Sequence, residues 1–266
     1  MLTIAFAAAL LSAGMTAGDN AELHTFHCLH GCPSGASETN DVIVREIYTL
    51  SSNDRRKFAD WVAYRITSDT VGTSEGRRWQ ADPWLAENET LRPSDYDGAP
   101  RALMIDRGHQ APLAAFSGTP FAEDTNILSN ITPQRSALNQ ASWQYLEARE
   151  RSFVARTGPL DPGRALYVLT GPLYERIMEP LPMPGGARRH RVPSAYWKVV
   201  ATADGRVAAF IFEQETPRSA DYCAMQATLE EVELRADLTL FPRLTGRRFT
   251  PLAQDLGCPE GRPPEP

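Results

Sequence analysis

Lysine is nearly absent from this chain of 266 residues, since only Lys57 and Lys198 among its 27 basic residues are lysines. The other 25 are arginines, whose planar guanidinium groups suit bidentate contacts with phosphate. A genomic bias towards arginine accounts for the total, although not for the positions discussed below. The net charge of −6 argues against a broad nucleic-acid-binding surface and against association with anionic membranes. An acidic protein can still act on phosphates where its arginines gather in one cleft.

Long hydrophobic runs and internal repeats are also missing, except for an apolar stretch at the N-terminus. Residues 2–17 are apolar and end in small residues, which is typical of a secretory signal peptide, although no Lys or Arg precedes them. We expect residues 1–20 to be a signal peptide, residues 21–257 a single domain and residues 258–266 a tail. The mature protein is then secreted or periplasmic and has no membrane partner.

Cysteine is scarce, with four residues in the whole chain. An even number of cysteines in an exported chain suggests two disulfides, for which three pairings exist in principle. A bond between Cys28 and Cys32 would close a tight local loop, and a bond between Cys223 and Cys258 would tie the C-terminal part to a helix. We expect this pairing.

A zinc site is the alternative for the first two cysteines. The stretch "HTFHCLHGC" adds His24, His27 and His30 to them, and mixed cysteine and histidine ligands suit zinc. The spacing is not that of a standard zinc finger, and an exported chain favours a disulfide.

The order of secondary-structure signals predicts an α+β fold with a central antiparallel sheet flanked by helices. Runs rich in β-branched and aromatic residues predict strands at 41–50, 58–67, 166–170, 196–201 and 207–212. Apolar residues at helical spacing predict helices at 136–156 and 218–234. Residues 68–100 form a long irregular segment, and such segments inside a compact domain are usually functional or disordered.

The stretch "MIDRGHQAP" (104–112) places Asp106, Arg107 and His109 together after a short apolar run. The apolar run predicts the end of a buried strand, and Gly108 would let the backbone turn sharply there. An Asp beside a His is by itself more often a structural hydrogen-bonded pair than a catalytic one.

The helix predicted at 136–156 carries a second polar pair. Asn139 and Glu147 are eight residues apart, close to two helical turns, with Trp143 between them on the same face. Amide and carboxylate oxygens are ligands that Mg²⁺ prefers. For these two residues alone, a solvated helix face is the simpler interpretation.

The stretches "DRGHQAPLA" and "LSNITPQRSALNQASWQYLEARER" resemble the signature region of the DNA/RNA non-specific endonucleases, the ββα-metal nucleases. The likeness extends through "FADWVAYRITSDT", "RRWQADP", "LTGPLYER" and "PSAYWKV", and covers about residues 28–235. It implies a ββα-metal (His-Me finger) motif, DNA and RNA as substrates, and Mg²⁺ as cofactor with Mn²⁺ as a substitute. It further implies hydrolysis of single- or double-stranded nucleic acid to 5′-phosphorylated oligonucleotides.

The resemblance also implies roles for individual residues. It makes His109 the general base, Asn139 the direct metal ligand and Glu147 a carboxylate in the outer shell of the metal. Arg77 matches the arginine that supports the charged phosphate, and Arg78 is the second candidate for that place. The remaining matches are Asp106, Arg107 and Asn130 as further members of the catalytic site and Arg151 as a substrate contact.

Two other functions remain open at this point. A catalytically dead nucleic-acid-binding or scaffold protein would keep the fold but lose the base or the metal ligand, and both residues are present here. A metal-dependent phosphodiesterase or phosphatase acting on small molecules would use the same phosphate chemistry. The sequence leaves open whether the chain is a monomer or a homodimer.

Overall fold

The computed structural model describes residues 23–73, 76–156, 165–182, 190–244, 246 and 249–259. The predicted signal peptide lies outside these residues. In the described part of the chain, no helix combines the length and the apolar character needed to cross a membrane.

Strands make up most of the regular structure. In chain order they are β1 (Asp41–Val44), β2 (Tyr48–Ser52), β3 (Ala59–Ile66), β4 (Ile105–His109), β5 (Ile131–Arg135), β6 (Leu166–Leu173), β7 (Ala195–Thr202), β8 (Arg206–Glu213), β9 (Gln226–Ala227) and β10 (Thr250–Pro251). The large sheet has the order β1-β2-β3-β6-β7-β8-β10, with β9 also paired to β8. All its pairs are antiparallel except β8 with β10. Strands β4 and β5 form a separate antiparallel pair.

The helices are short, apart from one. They are α1 (Ala99–Leu103), α2 (Leu113–Phe116), α3 (Ser136–Leu138), α4 (Gln144–Arg156) and α5 (Leu229–Ala236). A π-helical segment, Asn139–Trp143, joins α3 to α4. Short 3-10 segments lie at Pro93–Tyr96, Ala122–Asn126, Leu128–Asn130 and Tyr222–Met225.

The large sheet is covered on both faces, which explains why its central strands are almost entirely buried. Every residue of β7 is buried. Tyr196 and Val200 of β7 belong to the same core cluster as Leu146 and Phe153 of α4, whereas Trp197 belongs to the cluster on the opposite face with α5. The predicted α+β fold with an antiparallel sheet flanked by helices is confirmed.

The first predicted strand and the last predicted helix differ from the structure. The single strand expected at 41–50 is a hairpin, in which Val44 of β1 pairs with Thr49 of β2. Its turn lacks the glycine and asparagine that usually mark hairpins, so the sequence there resembles a continuous strand. The helix expected at 218–234 is limited to α5, which begins where the Thr228 hydroxyl accepts a hydrogen bond from the Glu231 amide.

Both expected disulfides, Cys28–Cys32 and Cys223–Cys258, are present. Because the first two sulfurs are bonded to each other, they are not available as zinc ligands. The ring of His27 is engaged elsewhere, by the Thr49 hydroxyl at 3.0 Å and the Glu46 carbonyl at 3.1 Å. The zinc interpretation is therefore wrong.

Candidate active site

The Asp-Arg-Gly-His stretch lies within strand β4, not beyond the end of a strand. Of the apolar residues before it, Ala102 and Leu103 end helix α1 and Ile105 begins β4, while Met104, with φ of 52°, links the helix to the strand. In the β4–β5 pair, Asp106 lies opposite Gln134 and His109 lies opposite Ile131. The motif is therefore held by a backbone ladder, and the helix that follows β5 starts next to it.

Gly108 serves a different purpose from the turn that the sequence suggests. A Cβ at this position would lie 2.5 Å from Oε1 and 2.7 Å from Cβ of Gln134, which is 1% exposed. Only glycine allows the neighbouring strand and its buried side chain to approach so closely.

We expect Gly108→Ala to lower the free energy of unfolding by about 1–3 kcal/mol, the usual cost of overpacking a filled interior. Because the shift would occur next to His109, activity should fall as well. Urea denaturation and an assay on plasmid DNA measure the two effects. Because Cβ of Gln134 is itself an obstructing atom, only Gln134→Gly removes the clash, and Gly108→Ala should cost less stability in the Gln134→Gly protein than in the wild type. A Gly108→Ala variant as stable as the wild type would contradict this explanation.

A cleft of about 520 Å³ opens between β4, the α3–α4 helix and the irregular segment before α1. Seven of the predicted site residues line it: Arg77, Asp106, Arg107, His109, Asn139, Glu147 and Arg151. Three arginines and two carboxylates thus face one space, an arrangement suited to a phosphate accompanied by a cation.

Arg78 and Asn130 do not line this cleft. Arg78 is exposed on the surface. Asn130 is buried, and its amide donates to the carbonyls of Ala111 and Thr125, both at 2.9 Å, while its oxygen accepts from the Ala111 amide at 2.8 Å. These bonds fix the backbone that follows His109, so Asn130 can influence the shape of the cleft without lining it.

His109 is held from one side by a residue that the sequence did not indicate. Its Nε2 lies 3.1 Å from Oδ1 of Asn126. Because an amide oxygen only accepts hydrogen bonds, Nε2 carries the proton and donates it, which leaves Nδ1 as the nitrogen with a free lone pair. The ring also contacts Trp79, with centroids 5.3 Å apart.

Burial lowers the pKa of His109 to about 4, partly opposed by the hydrogen bond to Asn126 and reinforced by the positive charge of Arg77. The imidazole is therefore neutral at pH 7. A neutral imidazole with a free Nδ1 is a proton acceptor.

Asp106 orients the amide of Asn139. The carboxylate of Asp106 accepts hydrogen bonds from Asn139 Nδ2 at 2.9 Å, from Gln140 Nε2 at 2.8 Å and from the Ser136 hydroxyl at 2.7 Å. A carboxylate only accepts, so Nδ2 must face it and Oδ1 of Asn139 must point away from it. The Met104 carbonyl lies 3.0 Å from the same Ser136 hydroxyl and shares its single proton with Asp106.

The π-helical segment explains how Asn139 and Glu147 come to share the cleft. In a regular α-helix, eight residues exceed two turns by about 80° of rotation. The wider π turn, in which Ala141 has φ −134° and ψ −105°, takes up the additional residue. The uninterrupted helix expected at 136–156 is thus corrected to two helical pieces joined at this segment.

Trp143 does not accompany the two ligand candidates on the cleft face, as the spacing had suggested. It is 2% exposed and lies in the core, with its ring centroid 5.8 Å from that of Tyr196 and 5.5 Å from that of Phe212. Because the backbone at Ala141 is non-helical, the side chain of Trp143 points in a different direction from that of Asn139.

The irregular segment before α1 contributes Arg77 and Trp79 and is anchored by buried polar contacts. Asp82, 3% exposed, accepts from Arg45 at 2.7 Å and from the hydroxyl of Ser129. The functional interpretation of this long segment is thus supported by its place in the cleft wall.

Arg107 packs between rings and a carbonyl. Its guanidinium carbon lies 5.5 Å from the ring centroid of Trp79 and 5.2 Å from that of Tyr96, and its Nη2 donates to the Pro93 carbonyl at 2.7 Å. These contacts fix the cleft wall beside His109.

Comparison with known proteins agrees with this geometry. A model of the DNA/RNA non-specific endonuclease family matches residues 30–246. The chain belongs to this family. It is 46% identical over 241 residues to the nuclease of Serratia marcescens, covering 89% of this chain and 88% of that protein. It is 30% identical to a nuclease of Nostoc sp., covering 78% and 77% of the two chains.

The fold is also similar to one in a solved structure of the EndoG/EndoGI complex. The TM-score is 0.65 at 23% sequence identity, and the similarity covers 79% of this chain and 89% of the other. The ββα-metal fold predicted for this endonuclease is supported by that likeness.

One group of acidic residues outside the cleft has ligand atoms close enough to share a cation. Among the described residues of the endonuclease, Asp41, Asp54 and Glu89 meet this condition. None of them lines the cleft, and exposed acidic groups often gather without binding a metal.

Proposed function

We propose that the protein is a metal-dependent endonuclease that hydrolyses phosphodiester bonds in both DNA and RNA, single- or double-stranded, and leaves 5′-phosphorylated products. One observation carries the proposal. A neutral histidine with a free Nδ1 and an asparagine with a free amide oxygen line the same arginine-bearing cleft.

His109 is the general base of this proposal. Since Asn126 holds Nε2, Nδ1 can take a proton from the attacking water as it approaches the phosphorus. The low pKa keeps nearly all of the imidazole unprotonated at neutral pH. As the water adds, the bond from phosphorus to the leaving 3′ oxygen breaks; that oxygen takes a proton from a water molecule in the cleft, and the proton on the imidazole passes to solvent.

The donor set fits Mg²⁺, with Mn²⁺ as a substitute. Asn139 would hold the ion through Oδ1, because the hydrogen bond from its Nδ2 to Asp106 leaves Oδ1 on the other side of the amide. The carboxylate of Glu147 would lie in the outer shell of the ion. Both groups are hard oxygen donors, and Mg²⁺ usually binds few protein ligands. When bound, such an ion neutralises charge on the scissile phosphate and stabilises the oxygen that leaves.

The arginines of the cleft would bind the phosphate. Arg77 is exposed and close enough to His109 to affect the pKa of its ring, so it suits the charge that develops on the phosphoryl oxygens. Arg151 lies on the same helix as Glu147 and suits a neighbouring phosphate. Contacts to phosphates instead of base edges favour little sequence preference.

The two disulfides support a location of the protein outside the cytoplasm. Bonds of this kind form and persist in oxidising compartments, so we place the protein in the periplasm or in the external medium.

The proposal is tested by removal and return of the metal. Purified protein should degrade plasmid DNA and a long RNA in the presence of Mg²⁺, stop when EDTA is added, and resume when Mg²⁺ is added in excess. Products labelled by a kinase only after phosphatase treatment would establish the 5′-phosphate ends.

Three outcomes would count against the proposal. Cleavage that persists in EDTA would refute the metal dependence. Binding of both polymers without cleavage would favour a nucleic-acid-binding protein. Hydrolysis of small phosphodiesters without cleavage of either polymer would favour a small-molecule phosphodiesterase.

A further inference from the structure

Lys198 is a lysine in the interior of the protein. It lies on the central strand β7, opposite Thr170 of β6 and Phe210 of β8, and its side chain is 0% exposed. A buried ammonium group costs several kcal/mol unless opposite charge compensates it. In a chain that uses arginine at 25 positions and lysine at two, this position requires an explanation.

Two carboxylates of α4 lie against the ammonium group. Its Nζ is 3.4 Å from Oε1 of Glu150 and 3.6 Å from Oε1 of Glu147. The ring of Trp143 covers it at 4.3 Å, measured to the centroid. The compact ammonium thus lies within ion-pair distance of two carboxylates and against one aromatic face.

The two carboxylates differ in what they face. The side chain of Glu150 is 0% exposed, and its Oε2 accepts a hydrogen bond from the Tyr64 hydroxyl at 3.4 Å. The side chain of Glu147 is 12% exposed and lines the cleft. Lys198 therefore connects a carboxylate of the core with a carboxylate of the candidate metal site.

We propose that Lys198 is a positioning residue, which holds Glu147 from the core side in the orientation that the metal site needs. Glu150 offsets the charge of the ammonium so that it can be buried. This inference rests on the proposed function, since the orientation of Glu147 matters because of the metal. A purely structural Lys198–Glu150 pair would stabilise the fold and leave metal binding unchanged.

The test compares Lys198→Met/Glu150→Gln with Glu150→Gln alone. The double variant removes the ammonium together with its buried counter-charge, so it leaves no unpaired charge in the core and little change in the field at the cleft. The single variant keeps the ammonium beside Glu147. The readout is binding of Mn²⁺ to the substrate-free protein, followed by electron paramagnetic resonance, with the Mg²⁺ concentration for half-maximal cleavage as a second measure.

We expect the double variant to bind Mn²⁺ about tenfold more weakly, the usual effect of removing an outer-shell partner. Glu150→Gln alone should stay within about twofold of the wild type, by the same reasoning. In a protein that already carries Glu147→Gln, the double substitution should have almost no further effect on Mn²⁺ binding, because Lys198 acts on the metal through the carboxylate of Glu147.

A double variant that melts at a lower temperature yet binds Mn²⁺ like the wild type would overturn the inference. If the double variant does not fold, Mn²⁺ binding can be measured with Lys198→Met alone, in which Glu150 can take up a proton. Mn²⁺ binding by Asn139→Ala distinguishes failure of this inference from failure of the proposed function. If Asn139→Ala also binds Mn²⁺ normally, the metal site itself is misplaced.

Discussion

His109→Ala should lose about three orders of magnitude of cleavage activity on both DNA and RNA, the middle of the range for loss of a general base. In the proposed mechanism the ring is the general base, so alanine would leave the attacking water without a proton acceptor. Because β4 is held by its ladder with β5, circular dichroism and thermal melting should change little. Steady-state kinetics on plasmid DNA and on a long RNA measure the loss.

His24→Ala is the matched control, since His24 is an exposed histidine that does not line the cleft. It should retain wild-type rates. Equal activity of His109→Ala and the wild type would remove His109 from the mechanism, whatever the behaviour of the control.

The pH profile gives an independent check on the same base. His109 acts when unprotonated, and burial lowers its pKa from 6.5 to about 4. The acid limb of kcat/KM, which reports groups of the free enzyme, should therefore fall near pH 4 and stay flat around pH 6.5. A limb near 6.5 would mean that the ring is more hydrated than the structure indicates.

The sequence predicted the parts of the site that depend on local chemistry, and the family resemblance supplied their roles. His109, Asn139 and Glu147 could be named as candidates because the family resemblance runs through the short stretches that contain them, whereas their local patterns alone favoured structural interpretations. The disulfide pairing was predicted because Cys28 and Cys32 lie close together in the sequence, which leaves Cys223 and Cys258 for each other. Such patterns can be recognised from the order of residues along the chain.

The rest depends on contacts between distant segments. Asn126 stands seventeen residues from His109 and is one of two asparagines between β4 and β5, so no spacing rule selects it as the partner of Nε2. The role of Asp106 follows only when the start of the helix is placed beside β4. Gly108 looked like a turn residue because its real constraint, the buried Gln134, belongs to the neighbouring strand.

Asn139→Ala should lower activity at ordinary Mg²⁺ concentrations by at least about a hundredfold, because the only proposed direct protein ligand of the metal is lost. Alanine also leaves one hydrogen bond of Asp106 unmade, but Ser136 and Gln140 still satisfy that carboxylate. The fold should therefore survive, and raising the Mg²⁺ or Mn²⁺ concentration should recover part of the activity. Isothermal titration with Mn²⁺ separates loss of metal affinity from loss of catalysis.

Gln140→Ala is the matched control because Gln140 donates to the same oxygen of Asp106 as Asn139 does. Its side chain is exposed, and its loss leaves the Asn139–Asp106 bond in place. A large defect in Asn139→Ala beside a small one in Gln140→Ala would assign the effect to the amide oxygen that Asp106 turns outward. Equal defects would mean that the carboxylate network, and not the ligand, limits the reaction, and Asp106 would then take the place of Asn139 at the centre of the mechanism.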